Sequence, residues 1–196
     1  FNILSFVNSI TKNWGFSIII VTLLIRLMLF PLAAASFISM GKLKALQPKI
    51  ERLKELCKDN KQQLSVSLIA LYKKENINPL SGCLPLTIQI PFFIAFYYVL
   101  LQSVELRMAP FIFWIHDLSS SDPYYIFPVV MGLSVFIQQK VNPRPTDRAQ
   151  EIVLLFMPFL LTLLFLQFAS GLVLYWIINN FLSILQQLYI FRKYKF

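Results

Sequence analysis

Charged residues are scarce in this chain, and acidic residues are the scarcest of them. Charged residues make up 14% of its 196 residues, hydrophobic residues make up 57%, and only nine residues are Asp or Glu. A soluble globular domain has about a quarter charged residues. The composition therefore excludes an ordinary soluble domain and predicts a protein of the lipid bilayer.

Glycine, cysteine and histidine are also few, and each shortage excludes a kind of chemistry. The five glycines form no GxxxxGK phosphate loop. Cys57 and Cys83 are too few for a disulfide framework and lack the spacing of metal ligands, so we expect two reduced thiols. The single histidine, His116, stands alone in an aromatic segment and is interpreted as an ordinary interfacial residue. We expect no metal, no cofactor and no enzymatic activity, since no nucleophile and base pair up at membrane depth.

Long apolar runs predict five transmembrane helices, because a helix needs about 20 mainly apolar residues to cross a bilayer. Pro31, Pro128 and Pro158 lie in three of the runs and predict kinks there. The predicted fold is an all-α integral membrane protein with one domain over residues 1–196. The predicted spans are 16–38, 81–102, 124–140, 152–168 and 171–190.

Two amphipathic segments complete the predicted architecture. Residues 1–13 carry apolar side chains on one helical face (Ile3, Phe6, Val7 and Ile10), which predicts a helix lying in the outer membrane interface. Residues 41–80 carry leucines at alternating three- and four-residue spacing, with a turn at 59–61. This pattern predicts an antiparallel helical hairpin outside the membrane.

Lysine and arginine predict the orientation of the chain. With five spans, fifteen of the eighteen basic residues fall on one side, in the hairpin, the loop between spans three and four, and the tail. The exceptions are Lys12, Arg26 and Arg107. Basic loops face the cytoplasm, so we expect a periplasmic amino terminus, a cytoplasmic hairpin and a cytoplasmic carboxyl terminus.

Arg26 places a charge in the middle of the first span. It lies roughly 15 Å from either membrane face, beyond the reach of snorkelling, and a charge there costs at least about 2.5 to 3.5 kcal/mol. None of the nine acidic residues falls inside a predicted span. Two arrangements could hold the arginine: carbonyls and uncharged side chains in a dry bundle, or a water-filled cavity.

Polar residues in the other spans bear on this choice. Each alone is explained by hydrogen bonding between helices, worth roughly 0.6 to 2 kcal/mol. For the whole set beside an unpaired arginine we favour a hydrated, positive cavity that attracts acidic residues of a passing polypeptide. Which of Gln138 and Gln139 would face it is left open. The set comprises Thr22 one turn before Arg26, scattered Gln89, Ser134, Gln138, Gln139, Thr162 and Gln167, and a single face of Trp176, Asn180, Ser183 and Gln187.

Several segments resemble the YidC membrane insertase family, the bacterial relatives of the mitochondrial oxidase-assembly and chloroplast light-harvesting-assembly insertases. They are NWGFSIIIVTLLIRLMLFPL, LQPKIERLKE, ALYKKENINPLSGCLPLTIQIPFF, SVELRMAPFIFWIHDLSSSDPYYIFPVVMG and SGLVLYWIINN, and they cover nearly the whole chain in order. The resemblance implies an insertase and chaperone of the bacterial inner membrane. Its five-helix core would hold a groove open to cytoplasm and lipid and closed outside. Gram-negative members carry an extra amino-terminal span and a large periplasmic domain, so we expect this chain to match the core without them.

The resemblance also implies a substrate-binding groove and partners. Arg26 occupies the position of the groove arginine, and Thr22, Tyr175 and Trp176 match positions implicated in contact with the inserting segment. With Gln89 and Asn180 from the polar set, these residues form the predicted site. The implied partners are nascent membrane proteins, the lipid bilayer, the ribosome, signal-recognition components and the Sec translocon, with no nucleotide cofactor.

A transporter or channel for anions or small solutes is the alternative function. An arginine inside the membrane is a usual sign of such proteins. Against this reading, the sequence has no internal repeat and no paired interrupted helices.

Overall fold

The computed structural model describes residues 2–57, 60–77, 84–102, 104–143 and 148–194. Cys83 and Asp59, which entered the thiol and turn predictions, lie outside these ranges. Within them all regular structure is helical. The helices are α1 (Asn2–Thr11), α2 (Trp14–Met28), α3 (Phe30–Ala45), α4 (Gln47–Leu56), α5 (Lys61–Lys74), α6 (Leu84–Gln102), α7 (Ile126–Val141), α8 (Arg148–Phe165) and α9 (Ser170–Tyr194), with a 3₁₀ turn at Val104–Leu106.

The run predicted as the first span is two helices rather than one. The axes of α2 and α3 differ by 68° at a break at Leu29. Pro31 lies in the first turn of α3, where its missing N–H costs least. Gln186 of α9 supports the break, since its Nε2 donates to the carbonyl of Phe30 at 3.2 Å.

The helices differ in whether they could cross a bilayer by length and composition. Among the described residues α9 qualifies by itself, and α2 and α3 qualify together as one bent pair. The apolar stretches 89–99, 126–141 and 149–165 are shorter. The count of five spans remains a prediction.

The amino-terminal helix divides its apolar residues between two sides. Leu4 and Val7 are buried, and Leu4 belongs to the main core. Ile3, Phe6 and Ile10 are 67 to 70% exposed. Val7, which the sequence analysis grouped on one face with Ile3, Phe6 and Ile10, is therefore buried on another side.

Helices α4 and α5 pack through a small apolar cluster. Its buried members are Leu46, Ile50 and Ile77. Lys49 Nζ lies 2.8 Å from Glu75 Oε1, so an ion pair links α4 to the residue that follows α5. The hydrogen bond and charge of Lys49 lower the pKa of Glu75, and burial raises the pKa of the Tyr72 phenol.

The segment between α6 and α7 covers one end of the helical bundle. Asn13 caps α2 by accepting from the N–H groups of Gly15 and Phe16, and its Nδ2 donates to Phe111 O at 3.1 Å. The Ser170 N–H at the start of α9 donates to Ser120 O at 2.7 Å. These bonds attach the segment to the first turns of both helices.

A buried carboxylate shapes the same segment. Asp122 is 1% exposed, and it accepts from Trp114 Nε1 at 3.0 Å, Tyr124 N at 3.0 Å and Phe127 N at 2.7 Å. Three donors offset the cost of burying the charge. Asp122 thereby fixes the start of α7 against the segment that connects α6 to α7.

Candidate functional site

Arg26 is held by uncharged groups of a single residue. Its Nε donates to Asn179 Oδ1 at 2.6 Å and its Nη2 donates to Asn179 O at 3.1 Å. Across the described ranges the one ion pair within 4.0 Å joins Lys49 to Glu75, in the α4–α5 unit. The guanidinium is therefore hydrogen-bonded, but its charge is not neutralised by a carboxylate of the described residues.

The guanidinium borders a groove formed by α2, α3, α6 and α9. Its volume is about 30 Å³, enough for one or two water molecules. Arg26 itself is half-buried. Lining residues are Thr22, Ile25, Arg26, Leu29, Ala33, Gln89, Phe92, Tyr175 and Asn179.

The wall facing Arg26 is a hydrogen-bonded pair from α6 and α9. Gln89 Nε2 donates to the Tyr175 hydroxyl at 2.9 Å, and the Tyr175 ring stacks on Phe96 with 4.9 Å between centroids. Thr22 lines the groove, but its hydroxyl donates to Ile18 O at 2.7 Å. A ligand in the groove therefore meets Arg26, Gln89 and Tyr175 as its polar wall.

Trp176 lies beside the groove rather than in it. Its ring contacts Phe93 and Phe165, each with centroids 5.3 Å apart. It lines an apolar cavity of about 240 Å³ among α6, α8 and α9. Gln89 borders both spaces, so the charged groove and the apolar cavity share one wall.

Asn180 faces a third direction, toward α7. Its Nδ2 donates to Ser134 Oγ at 3.0 Å. Further along the same face, Gln187 accepts from Gln138 Nε2 at 2.6 Å and donates to Asn142 Oδ1 at 3.0 Å. This face of α9 therefore forms hydrogen bonds to α7. Hydrogen bonding between helices is the role that the sequence analysis gave to each polar residue taken alone.

Four of the six predicted site residues line the Arg26 groove: Thr22, Arg26, Gln89 and Tyr175. Asn179 supplies both acceptors for Arg26 and was missed. The signal for it was present, since Tyr175 and Asn179 are four residues apart and share a helical face. Trp176 and Asn180 have the same spacing, and the sequence analysis selected these two residues for the site instead.

Comparisons with known proteins give one consistent result. The family model described as 60Kd inner membrane protein matches residues 6–196. Proteins described as "Membrane protein insertase YidC" from Francisella tularensis subsp. novicida (strain U112) and subsp. tularensis (strain SCHU S4 / Schu 4) are 55% identical to this chain over 195 residues. These matches cover 100% of this chain and 35% of each relative, so the chain spans about a third of their length.

A solved structure is similar in fold as well as in sequence. It is described as "Active YidC insertase crystal structure with the first transmembrane domain resolved". The TM-score is 0.75 at 31% sequence identity, and the match covers 93% of this chain and 43% of that one. The all-helical arrangement of the described residues is therefore shared with that protein.

Proposed function

The chain belongs to the 60Kd inner membrane protein family, and from this membership we propose that it inserts newly made proteins into the inner membrane and assists their folding. The relatives that support the proposal are named as insertases, and their similarity extends over the whole of this chain.

The observation that carries the proposal is the charge of Arg26, whose hydrogen-bond partners within the helices are uncharged. Neutral acceptors fill part of its hydrogen-bonding capacity, so its attraction for an anionic group remains. A guanidinium offers five N–H donors and favours carboxylates. An acidic residue beside an inserting apolar segment would therefore be stabilised here instead of crossing hydrocarbon alone.

The proposed contact surface has a polar part and an apolar part. Arg26, Gln89 and Tyr175 would receive the hydrophilic flank of the inserting segment, with Thr22 on the groove wall. Trp176 would contact its apolar side. We assign Asn180 to helix packing, because its amide is committed to Ser134.

The proposed arrangement in the membrane rests on charge distribution. The spans would be the α2–α3 pair, α6, α7, α8 and α9, with the amino terminus periplasmic and the carboxyl terminus cytoplasmic. The α4–α5 unit would then lie in the cytoplasm. Resemblance to the family makes it the candidate docking element for the ribosome, signal-recognition components and the Sec translocon.

Insertion of a substrate protein into proteoliposomes that contain this chain tests the role of the Arg26 charge. The passenger is a small single-span protein with an acidic translocated segment, and its matched control has the acidic residues replaced by their amides. Arg26→Ala and Arg26→Glu should lower insertion of the acidic passenger about tenfold or more, because a charge-assisted hydrogen bond contributes roughly 1.5 to 3 kcal/mol. Arg26→Lys should retain most of the activity.

The control passenger should be inserted equally well by all four proteins. Wild-type rates with the acidic passenger for all three variants would show that the charge has no role in insertion. Anion flux through the same vesicles without any polypeptide would instead support a transporter.

A further inference from the structure

A charged space and an apolar space adjoin inside the helical bundle. Residues of α2, α3, α6 and α9 line the groove beside Arg26, and residues of α6, α8 and α9 line the cavity beside Trp176. Gln89 of α6 lines both spaces. A ligand with one charged end and one apolar end could therefore occupy both spaces once the Gln89 side chain moved aside.

The Gln89 side chain is held at this position by a neutral hydrogen bond. Its Nε2 donates to the Tyr175 hydroxyl at 2.9 Å. Next to this bond the contacts between α6 and α9 are made by rings: Phe96 stacks on Tyr175, and Phe93 meets Trp176 edge to face. A neutral hydrogen bond contributes little net free energy, and a glutamine side chain turns about three single bonds. Rotation of Gln89 would therefore join the two spaces without moving a helix.

The groove determines the charged end of the ligand. Among the described residues Arg26 forms no ion pair, and two of its five N–H groups donate to Asn179. The remaining donors suit a carboxylate, which a guanidinium binds through two parallel hydrogen bonds. The groove has a volume of about 30 Å³, so a phosphate headgroup with its glycerol does not fit there. A carboxylate, with three heavy atoms, fits once Gln89 turns aside.

The cavity determines the apolar end of the ligand. Its volume is about 240 Å³, and its lining includes Ile90, Leu161, Leu164 and Phe168. A cavity of about 150 Å³ holds benzene, which has six carbon atoms, so this cavity holds an alkyl chain of about eight to ten carbon atoms. A helix of an inserting protein is about 10 Å wide and cannot enter such a space, whereas an unbranched alkyl chain can.

The cavity borders the apolar surface of the bundle. Two of its lining residues, Ile90 of α6 and Leu164 of α8, are 50% and 54% exposed. Exposed apolar residues continue this surface along both helices, for example Ile94 at 47% and Leu160 at 66%. A molecule dissolved in the membrane would therefore reach the cavity from the side, and the charge of Arg26 would attract its anionic end.

We propose that the groove and the cavity together bind a free medium-chain fatty acid. Its carboxylate would accept from Arg26, its chain of about eight to ten carbon atoms would fill the cavity beside Trp176, and Gln89 would turn away from Tyr175. This binding goes beyond insertion and does not require it. A bound fatty acid would occupy the arginine that is proposed for acidic passengers, so it would also compete with them.

Quenching of Trp176 fluorescence by brominated ligands tests the site on the full chain in non-ionic detergent. The probes are 10-bromodecanoate, its amide 10-bromodecanamide and the short acid 4-bromobutanoate, and the signal is the part of the quenching that Trp176→Phe removes. The decanoate should bind about tenfold or more tightly than the amide, because a charge-assisted hydrogen bond is stronger than a neutral one. The butanoate should quench little, since its chain is too short to fill the cavity.

Three substitutions assign the preference to its residues. Arg26→Gln should remove the preference for the acid and leave quenching by the amide unchanged, which shows that the cavity is intact. Arg107→Gln removes the same charge from an exposed position and should keep the preference. Gln89→Ala should tighten binding of the acid about two- to tenfold, since no bond to Tyr175 has to be broken.

Four results would overturn the proposal. They are equal binding of the long acid and the amide to wild type, a preference that survives Arg26→Gln, a preference lost equally in Arg107→Gln, and weaker binding of the acid to Gln89→Ala. The first of these needs no variant, so the proposal stays testable even where a substitution at Arg26 prevents folding.

Discussion

A step of one residue along α9 separates the residues of the charged groove from residues that contact other helices. Tyr175 and Asn179 face Arg26 and Gln89, whereas Trp176 and Asn180 face Phe93 and Ser134. One residue turns a helix by about 100° and advances it by only 1.5 Å. The two asparagines therefore lie at nearly the same depth and have different partners.

Substitution of the two asparagines should separate their roles. Asn179→Ala removes the Oδ1 acceptor of the guanidinium and should lower the free energy of unfolding by about 1.5 to 3 kcal/mol. Asn180→Ala removes a neutral bond between helices and should cost about 0.6 kcal/mol. Denaturation in detergent measures both. Equal losses, or a larger loss for Asn180→Ala, would contradict the assignment of Arg26 to Asn179.

At the scale of elements, the break between α2 and α3 positions the groove. A straight helix over residues 14–45 would extend roughly 48 Å, well beyond a hydrocarbon core of about 30 Å. The 68° bend instead turns α3 toward α9, where Ala33, Phe37 and Met40 pack against Ile190 and Phe191. Pro31 indicated a kink in the sequence, but its size depends on this packing.

Helices α7 and α8 approach closely at Gly132. A Cβ atom there would collide with Thr162 Oγ1 and would lie 3.3 Å from Pro158 O. The Thr162 hydroxyl donates to Pro158 O at 2.8 Å, so it cannot move aside without losing that bond. The absence of a side chain at Gly132 therefore sets the distance between the helices.

Gly132→Ala should lower the free energy of unfolding by about 1 to 3 kcal/mol, the usual cost of overpacking. Gly132→Ala/Thr162→Ala should recover much of that loss, because the second substitution removes the oxygen that collides. Thermal denaturation of the single and double variants gives the coupling between the two sites. Strictly additive losses would mean that the helices do not meet at this pair.

At the scale of the whole molecule, charge and apolar surface are segregated. The ends of α3, α7 and α9 carry basic residues, and the segment covering the first turns of α2 and α9 lies at the other end of the bundle. Between these ends many large apolar residues are exposed, for example Leu133, Phe159 and Leu163 at 57 to 66%. Such a surface suits surrounding lipid.

Cysteine accessibility tests the first three proposed spans and their orientation. In a chain carrying Cys57→Ser and Cys83→Ser, single substitutions at four positions should alternate in their reaction with an impermeant thiol reagent added to intact spheroplasts. Ser9→Cys and Ser121→Cys should react at once, and Gln62→Cys and Gln150→Cys only after permeabilisation. Reaction of positions 62 and 121 from the same side would contradict a span between them.

Particular residues show how far sequence reasoning reached. Arg26 stands out in the sequence because a charge in an apolar run is a local anomaly, and in the structure Gln89 and Tyr175 border the same groove. Asn180 was placed in the groove and lies outside it, because a helical repeat gives the spacing of a face and not the neighbour it meets. Gln138, whose direction was left open, bonds Gln187 of α9.

By itself, the sequence determined that this protein is helical over its described residues and strongly apolar, and that Arg26 has no acidic residue within the predicted spans. Those properties follow from composition and local spacing, which do not depend on contacts between residues distant in the sequence. Only the tertiary structure decided that Asn179 holds Arg26 and that Gln89 separates a polar groove from an apolar cavity. These choices depend on how several helices rotate to pack together, and rotations of 100° bring adjacent residues to different neighbours.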